Sequence, residues 1–206
     1  MEKKIIDVSR HQGTIDWKKV KDHIDGAIIR CGYGKNIRKQ DDEQFLANIN
    51  GCITNNIPFG IYLYSYAKDI CSAQSEAEHA LHLIRPYKDQ ITYPVYYDLE
   101  EQGTEATAVE NAKVFCKILT EAGFVCGIYA NQSWWKNILK DKLNDYPKWV
   151  ARYYAAKPTD FQWAVEHPEA KPTGISGGYD MWQFTDQGSI PGIKANVDLN
   201  ICYKDY

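Results

Sequence analysis

The sequence predicts an α/β fold, an irregular TIM-like barrel with about five β/α units followed by three strands. Short apolar runs alternate with stretches of helical periodicity through most of the chain, and this alternation is typical of β/α folds. The 206 residues contain no proline- or serine-rich linker and no internal repeat, and that length suits one domain. We therefore expect a single domain over residues 1–206.

Eight apolar runs have the length and composition of buried strands. Strands that are covered on both faces consist of nearly continuous apolar residues, and residues 27–29 and 125–128 follow that rule. Eight is also the number of strands that closes a barrel of this kind. The predicted strands are 4–8, 26–31, 58–65, 93–99, 125–130, 148–151, 179–184 and 197–199.

Helical periodicity fills the segments between the first strands. Phe45, Ile49 and Cys52, for example, are spaced to share one face of a helix over 41–53. Ser72 and Ser133 precede helical patterns and are predicted N-caps. The other predicted helices are 72–84, 107–122 and 134–143.

The last third of the chain loses this regularity. Residues 155–178 contain six prolines and glycines, and residues 185–196 contain three more. Proline and glycine interrupt helices, so we expect loops in both segments and a barrel whose final strands lack regular helices between them.

Composition excludes several classes of function. The formal net charge of −3 argues against nucleic-acid or membrane-surface binding, which needs concentrated Lys and Arg, and no apolar run approaches the ~20 residues of a membrane span. Six cysteines form no CxxC or Cys/His pattern, so we interpret them as small buried residues and not as a disulfide framework. The first residues resemble no secretion signal; we expect export through a lysis partner, or a signal already removed.

Polar and aromatic residues collect at the ends of the predicted strands, where barrel enzymes place their chemistry. Four acids, several aromatic residues and arginine would therefore converge on one cleft. The residues are Asp7, Ser9, His11, Arg30, Tyr33, Tyr62, Tyr64, Asp98, Glu100, Tyr129, Asn131, Trp149, Arg152, Trp182, Gln183, Asp198 and Asn200.

Asp98 and Glu100 form the most informative pair. Alternate residues of a strand point to the same side, roughly 6.5–7 Å apart, and crowding two carboxylates raises one pKa. Glycoside hydrolysis needs such a proton donor beside a negative group. Alternatively, the pair begins a solvated acidic loop, since Glu101 and Glu105 follow. Asp7 and Asp198 could likewise only cap turns.

Other chemistries lack their motifs. The chain has 5 His and no H-x-x-x-H pair, so we expect no protein-bound metal and no cofactor. It contains neither a G-x-S-x-G turn nor a P-loop, which leaves acyl and phosphoryl transfer without support.

Several ordered motifs together resemble glycoside hydrolase family 25, the lysozymes of the Chalaropsis and bacteriophage type. Residues 7–17 match the start of that family, and the resemblance continues almost to the end of the chain. The further matching segments are 26–34, 60–65, 97–100, 127–131, 149–153, 182–184 and 197–200.

The resemblance implies a barrel of five β/α units plus three strands, and a catalytic domain that cleaves the β-1,4 bond between N-acetylmuramic acid and N-acetylglucosamine. It maps the family's acids to Asp7, Asp98, Glu100 and Asp198, with Glu100 as the general acid. The residues it implies in the sugar groove are Tyr33, Tyr62, Tyr64, Tyr129, Trp149, Arg152, Trp182 and Gln183.

We expect a monomer that acts on bacterial peptidoglycan strands. Our mechanistic hypothesis is retention, with Asp98 orienting the substrate's own 2-acetamido group as nucleophile. Direct attack by a carboxylate, or inversion through water activated by Asp7 or Asp198, remain open. So do a non-catalytic peptidoglycan-binding barrel and a hydrolase of another N-acetylated glycan such as chitin.

Overall fold

A computed structural model describes residues 2–154 and 157–206, and its centre is a closed barrel of eight strands. The predicted fold class and all eight predicted strands are confirmed. The strands are β1 Lys3–Val8, β2 Gly26–Tyr33, β3 Phe59–Tyr64, β4 Ile91–Asp98, β5 Cys126–Asn131, β6 Lys148–Ala151, β7 Met181–Gly188 and β8 Val197–Cys202.

The strands follow one another around the barrel in chain order, but β8 breaks the parallel pattern. It runs antiparallel to both β7 and β1, because the short connection from β7 contains no helix to return the chain to the other end. Asp198, near the start of β8, therefore lies at the same end of the barrel as Asp7, its register partner on β1.

Helices cover the outside of the barrel, and two of their caps differ from the prediction. Asp69, not Ser72, caps the third helix, because its carboxylate accepts the Ser72 N–H at 2.7 Å. Asn131, not Ser133, caps the fifth by accepting the Trp134 N–H at 3.0 Å. The helices are α1 Trp17–Val20, α2 Phe45–Thr54, α3 Ile70–Ile84, α4 Ala108–Glu121, α5 Gln132–Asn137 and α6 Phe161–Glu166.

The segment predicted as a loop over 155–178 contains the short helix α6 and a turn of 3-10 helix at Pro168–Ala170. Asp160 caps α6 through the Trp163 N–H, and Phe161 is buried on its inner face. The prolines and glycines around this six-residue helix are the reason that the segment was predicted as a loop. Residues 155 and 156 of the predicted loop lie outside the described residues.

Strand alternation decides what fills the barrel. Ile5, Ile28, Tyr96 and Trp149 belong to a packed inner cluster, while their neighbours along each strand face the helices. Gly127 is required here, since a Cβ at that position would lie 2.6 Å from the Tyr96 ring. Packing of these side chains thereby closes one end of the barrel. Nearer the other end, the residues that point into the barrel are polar.

The cysteines largely fit the predicted role as small core residues. All six are free, and all but Cys71, which is exposed, are buried. Cys116 on α4 and Cys126 on β5 touch, with their sulfur atoms 2.7 Å apart. None of the helices in the described parts of the chain is both long and apolar enough to cross a membrane.

Candidate active site

A cavity of about 280 Å³ opens at the carboxyl end of the parallel strands, and it collects all four acids singled out from the sequence. Its walls are drawn from all eight strands or the loops that follow them, which explains why the residues are dispersed in the sequence. The lining residues are Asp7, His11, Arg30, Tyr62, Tyr64, Asp98, Glu100, Tyr129, Trp149, Tyr153, Gln183 and Asp198.

Asp7 and Asp198 face each other across the β1–β8 pair and are held by two carboxamides. The Gln183 Nε2 group donates to Asp7 at 3.0 Å and to Asp198 at 2.9 Å. Asn200 Nδ2 donates to the same oxygen of Asp7 at 2.8 Å. This pair is therefore fixed by directed hydrogen bonds before any ligand enters.

The two carboxyls of this pair have very different affinities for a proton. Burial raises the pKa of Asp7 to about 6, although the hydrogen bonds from Asn200 and Gln183 oppose that effect. Burial and the adjacent charge of Asp7 raise the pKa of Asp198 to about 9. At neutral pH, Asp198 consequently holds a proton while Asp7 is ionised.

Gln183 is the centre of this arrangement. Besides its two donations, its Oε1 accepts hydrogen bonds from the hydroxyls of Tyr129 at 2.7 Å and Tyr153 at 2.8 Å. A carboxamide has two N–H donors and two acceptor lone pairs, so its capacity is used up. The resemblance places Gln183 among the sugar-binding residues, but in the structure it binds protein groups through every donor and acceptor.

Asp98 and Glu100 are arranged differently. Asp98 is 4% exposed, and its Oδ1 atom has no hydrogen-bond partner among the described residues. Burial, together with the charges of Glu100 and Asp7, raises its pKa well above the ordinary value. Glu100 is half-buried at the mouth of the cavity, and burial also raises its pKa.

Arg30 supplies positive charge beside this pair, and its charge lowers the pKa of Asp98 against the other contributions. Its guanidinium Nε donates to Asp42 at 2.7 Å. Asp42 also accepts the backbone N–H groups of Arg10 and Gln44, each at 3.0 Å. Asp42 was not singled out from the sequence, because it follows no strand end.

Four aromatic residues form the floor and one wall. Trp149 lies at the bottom with its indole N–H bonded to Asn200 at 2.7 Å. The Tyr129 and Tyr62 rings lie 4.5 and 6.0 Å from the Trp149 ring. Tyr64 also lines the cavity, and its hydroxyl donates to Glu101 at 2.9 Å. These flat faces suit contact with sugar rings.

Three residues that the resemblance places in the groove lie outside the cavity. Trp182 points to the helices, because alternation along β7 turns Gln183 inward and its neighbour outward; its indole N–H bonds the Arg152 carbonyl at 3.0 Å. The Arg152 guanidinium donates to the Lys171 carbonyl. Tyr33 is absent from the lining, and its ring packs edge-on 6.0 Å from that of Tyr66.

Tyr153 lines the cavity although it was not among the predicted site residues, whereas Arg30 and His11 were among the strand-end residues expected to converge on the cleft. Arg30 and His11 were recognisable as residues at or just after strand ends, but nothing in the sequence distinguished them from ordinary turn residues. Tyr153 lies two residues beyond the end of β6. Its contact with Gln183 depends on a neighbouring strand, which a sequence pattern cannot reveal.

Comparison with known proteins decides the family. The family model described as "Glycosyl hydrolases family 25" matches residues 6–193, and this range includes Asp7, Asp98, Glu100 and Gln183. The chain belongs to glycosyl hydrolases family 25. It is therefore a glycosidase. No group of three or more His, Cys, Asp or Glu side chains within residues 2–154 and 157–206 is arranged to hold a metal ion.

Individual relatives agree with this assignment. The chain is 29% identical to the uncharacterized protein YegX of Escherichia coli K12, covering 95% of this chain and 68% of that protein. It is 24% identical to the autolytic lysozyme of Clostridium acetobutylicum, covering 95% of this chain and 54% of the relative.

The structure is also similar to the autolysin LytC of Streptococcus pneumoniae, which was solved in complex with a synthetic peptidoglycan ligand. The identity is 28% and the TM-score 0.81, over 98% of this chain and 47% of LytC. The chain thus spans about half the length of LytC and of the clostridial lysozyme.

Proposed function

We propose that this protein is a lysozyme, a 1,4-β-N-acetylmuramidase that hydrolyses the bond between N-acetylmuramic acid and N-acetylglucosamine in bacterial peptidoglycan. The observation that carries the proposal is the unbonded pair Asp98 and Glu100 in an aromatic-lined cleft, beside the bonded pair Asp7 and Asp198. Family membership, the lysozyme relative and the peptidoglycan complex of LytC support the same substrate.

Glu100 is the general acid of the proposed reaction. A proton donor must reach the glycosidic oxygen and must hold its proton near neutral pH. Glu100 is half-buried at the mouth of the cavity, and burial raises its pKa, which favours the protonated form. No hydrogen bond from a described residue competes for its carboxyl group.

Asp98 orients the substrate's 2-acetamido group. The group carries one N–H, and the Oδ1 atom of Asp98 is a buried acceptor that lacks a partner among the described residues. Donation of that N–H favours the ionised form of Asp98, as Arg30 does, so the pair's proton resides on Glu100. The acetamido oxygen then attacks the anomeric carbon and breaks its bond to the leaving oxygen, which Glu100 protonates. The Glu100 carboxylate next takes a proton from a water molecule that attacks the anomeric carbon and reopens the oxazolinium ring, so the two successive displacements give retention.

Asp7 and Asp198 support this reaction by their fixed position and by the negative charge of Asp7. Asp7 is the anion of the pair at neutral pH and faces the region where the oxocarbenium ion develops. We further propose that residues 1–206 are one catalytic domain that works as a monomer at the bacterial cell wall, without nucleic-acid or membrane partners and without a cofactor.

The experiment that tests this function is mass spectrometry of the fragments released from purified peptidoglycan. Muramic acid at the new reducing ends is the expected result, and glucosamine there would contradict the bond assignment. Chitin oligosaccharides in parallel test the hydrolase of another glycan. A suspension of killed bacterial cells that binds the protein without clearing would instead indicate a binding barrel.

A further inference from the structure

A second cavity opens beside the acid cleft, between the turn after β1 and the loop that joins β7 to β8. It measures about 470 Å³, and because His11 lines both this cavity and the cleft, the two adjoin. Arg10 and Lys194 are the charged residues of its lining, and no acidic residue is among the described residues that line it. We call it the basic cavity.

The two adjoining cavities differ in charge. The ionised Asp7 and Asp98 line the cleft together with Arg30, while the described residues that line the basic cavity include an arginine and a lysine but no acid. Both cations are on exposed residues, and neither forms an ion pair with any residue that the structure describes. Their charge is therefore available to a ligand, although the protein as a whole carries a net charge of −3.

The walls of the basic cavity are fixed to each other and to the catalytic end of the barrel. Gln12 donates to the carbonyl of Asn196 at 3.0 Å, which ties the β1 turn to the β7–β8 loop. The backbone N–H of Arg10 donates to Asp42, the carboxylate that also holds Arg30 beside Asp98. A ligand in the basic cavity would thus lie at a set position relative to the acids.

We propose that the basic cavity binds the carboxylate-bearing substituent of the muramoyl residue, the lactyl ether with its attached peptide, while the sugar backbone occupies the acid cleft. The proposal rests on the lysozyme function proposed above. It names the part of the substrate that distinguishes peptidoglycan from a plain N-acetylated glycan.

Charge explains why the substituent would go there. A glycan chain in the cleft meets repulsion wherever its own carboxylates approach the ionised Asp7 and Asp98. A branch that turns toward Arg10 and Lys194 escapes this repulsion and gains attraction. Exposed cations act mainly through Coulomb attraction, so the gain is modest and sensitive to salt.

The test compares Michaelis constants for soluble, uncross-linked peptidoglycan strands. In Arg10→Ala/Lys194→Ala we expect KM to rise about 3- to 10-fold with kcat within about twofold of the parent, the range that two exposed ion pairs give. The charge-preserving double variant Arg10→Lys/Lys194→Arg should stay within about twofold. Lys113→Ala/Lys117→Ala, which removes two exposed lysines from α4, is the matched control and should leave KM unchanged.

The decisive arm repeats these measurements on the same strands after carbodiimide-mediated amidation of their carboxylates. Amidation should raise the KM of the parent but not that of the double alanine variant, so the difference in KM between them should vanish. Raising the salt concentration from about 0.05 M to about 0.5 M should likewise remove this difference on the unmodified strands. An equal KM rise on both substrates, or no rise on the charged one, would overturn the proposal.

Failure of this proposal is distinguishable from failure of the proposed function. If the parent releases no muramic acid reducing ends from any strand, the lysozyme function itself is wrong. If the parent releases them, and Arg10→Ala/Lys194→Ala and the control variant release them at the same rate as the parent, the function stands and the basic cavity binds no part of the substrate.

Discussion

The two acid pairs of the cleft differ in how the protein holds them. Asp7 and Asp198 receive three hydrogen bonds from Gln183 and Asn200, whereas Asp98 and Glu100 receive none from the described residues. A carboxylate whose lone pairs are occupied is positioned, and one whose lone pairs are unoccupied is available to substrate. The contrast indicates that the first pair is a preorganised frame and the second performs the chemistry.

The largest effect should follow loss of the proton donor. Glu100→Gln should lower kcat by about 10²- to 10⁴-fold, the usual range for general acid catalysis, without lowering the melting temperature. Turbidity clearing and circular dichroism measure the two quantities. Glu105→Gln is the control, because it removes the same charge from an exposed residue nearby, and its kcat should stay within about twofold of the parent's. Near-parent clearing by Glu100→Gln would remove this residue from the acid role.

Loss of the frame should cost both activity and stability. Gln183→Leu leaves the Tyr129 and Tyr153 hydroxyls and two acids without their partner, so we expect about 2–4 kcal/mol of destabilisation and a kcat about 10- to 100-fold lower. Denaturant melts and initial rates measure these changes. Gln187→Leu, farther along β7, is the matched control. Full activity in a destabilised Gln183→Leu would mean that its role is structural alone.

The frame should also make stability depend on pH. The folded-state pKa of Asp198 is about 9 against an ordinary 3.8, so the folded protein binds this proton more tightly than the unfolded chain. The free energy of unfolding therefore falls as the pH rises from about 4 toward 9. Asp198→Asn has no carboxyl to ionise at this position. At pH 8 its free energy of unfolding should therefore exceed that of the parent by on the order of 2 kcal/mol, which raises the melting temperature by roughly 4–8 °C.

Melting curves at pH 5 and pH 8 test this prediction. The parent should melt lower at pH 8 than at pH 5, and Asp198→Asn should show a flatter dependence with lower activity. Asp22→Asn, at an exposed position away from the cleft, should keep the parent's slope. Identical slopes for the parent and Asp198→Asn would show that this carboxyl is not the protonated member of the pair.

The smallest effect should come from a residue that the structure moves out of the groove. Arg152 bonds the Lys171 carbonyl, so Arg152→Ala should change KM by less than about threefold. Steady-state rates on soluble strands give this value. A tenfold higher KM with an unchanged melting temperature would place the guanidinium on the substrate after all.

Much of this could be predicted from the sequence, for identifiable reasons. Apolar runs marked every strand, and the helices α2, α3 and α4, with 10 to 15 residues each, were long enough for their periodicity to be recognised. The acids of the cleft were recognisable because parallel strands end at one edge of a barrel. Asp198 was found by its place in a strand, although its position in the cleft depends on β8 being antiparallel.

The remainder depends on contacts between distant segments. The short connection before β8 reverses that strand, and alternation along β7 decides that Gln183, not Trp182, faces the acids. The hydrogen bonds from Gln183 to Asp7 span 176 residues. A pattern in one segment carries no information on such partners. The helix α6 was missed because it is short and lies in a segment rich in proline and glycine, which predicted a loop.

The most direct test of the difference between the two pairs uses a substrate that needs no protonation. An aryl glycoside of the peptidoglycan disaccharide with a dinitrophenolate leaving group bypasses the general acid. We predict that Glu100→Gln recovers to within about tenfold of the parent's kcat on this substrate, while Asp98→Asn stays impaired on both substrates. Equal impairment of Glu100→Gln on the aryl glycoside and on peptidoglycan would contradict the account.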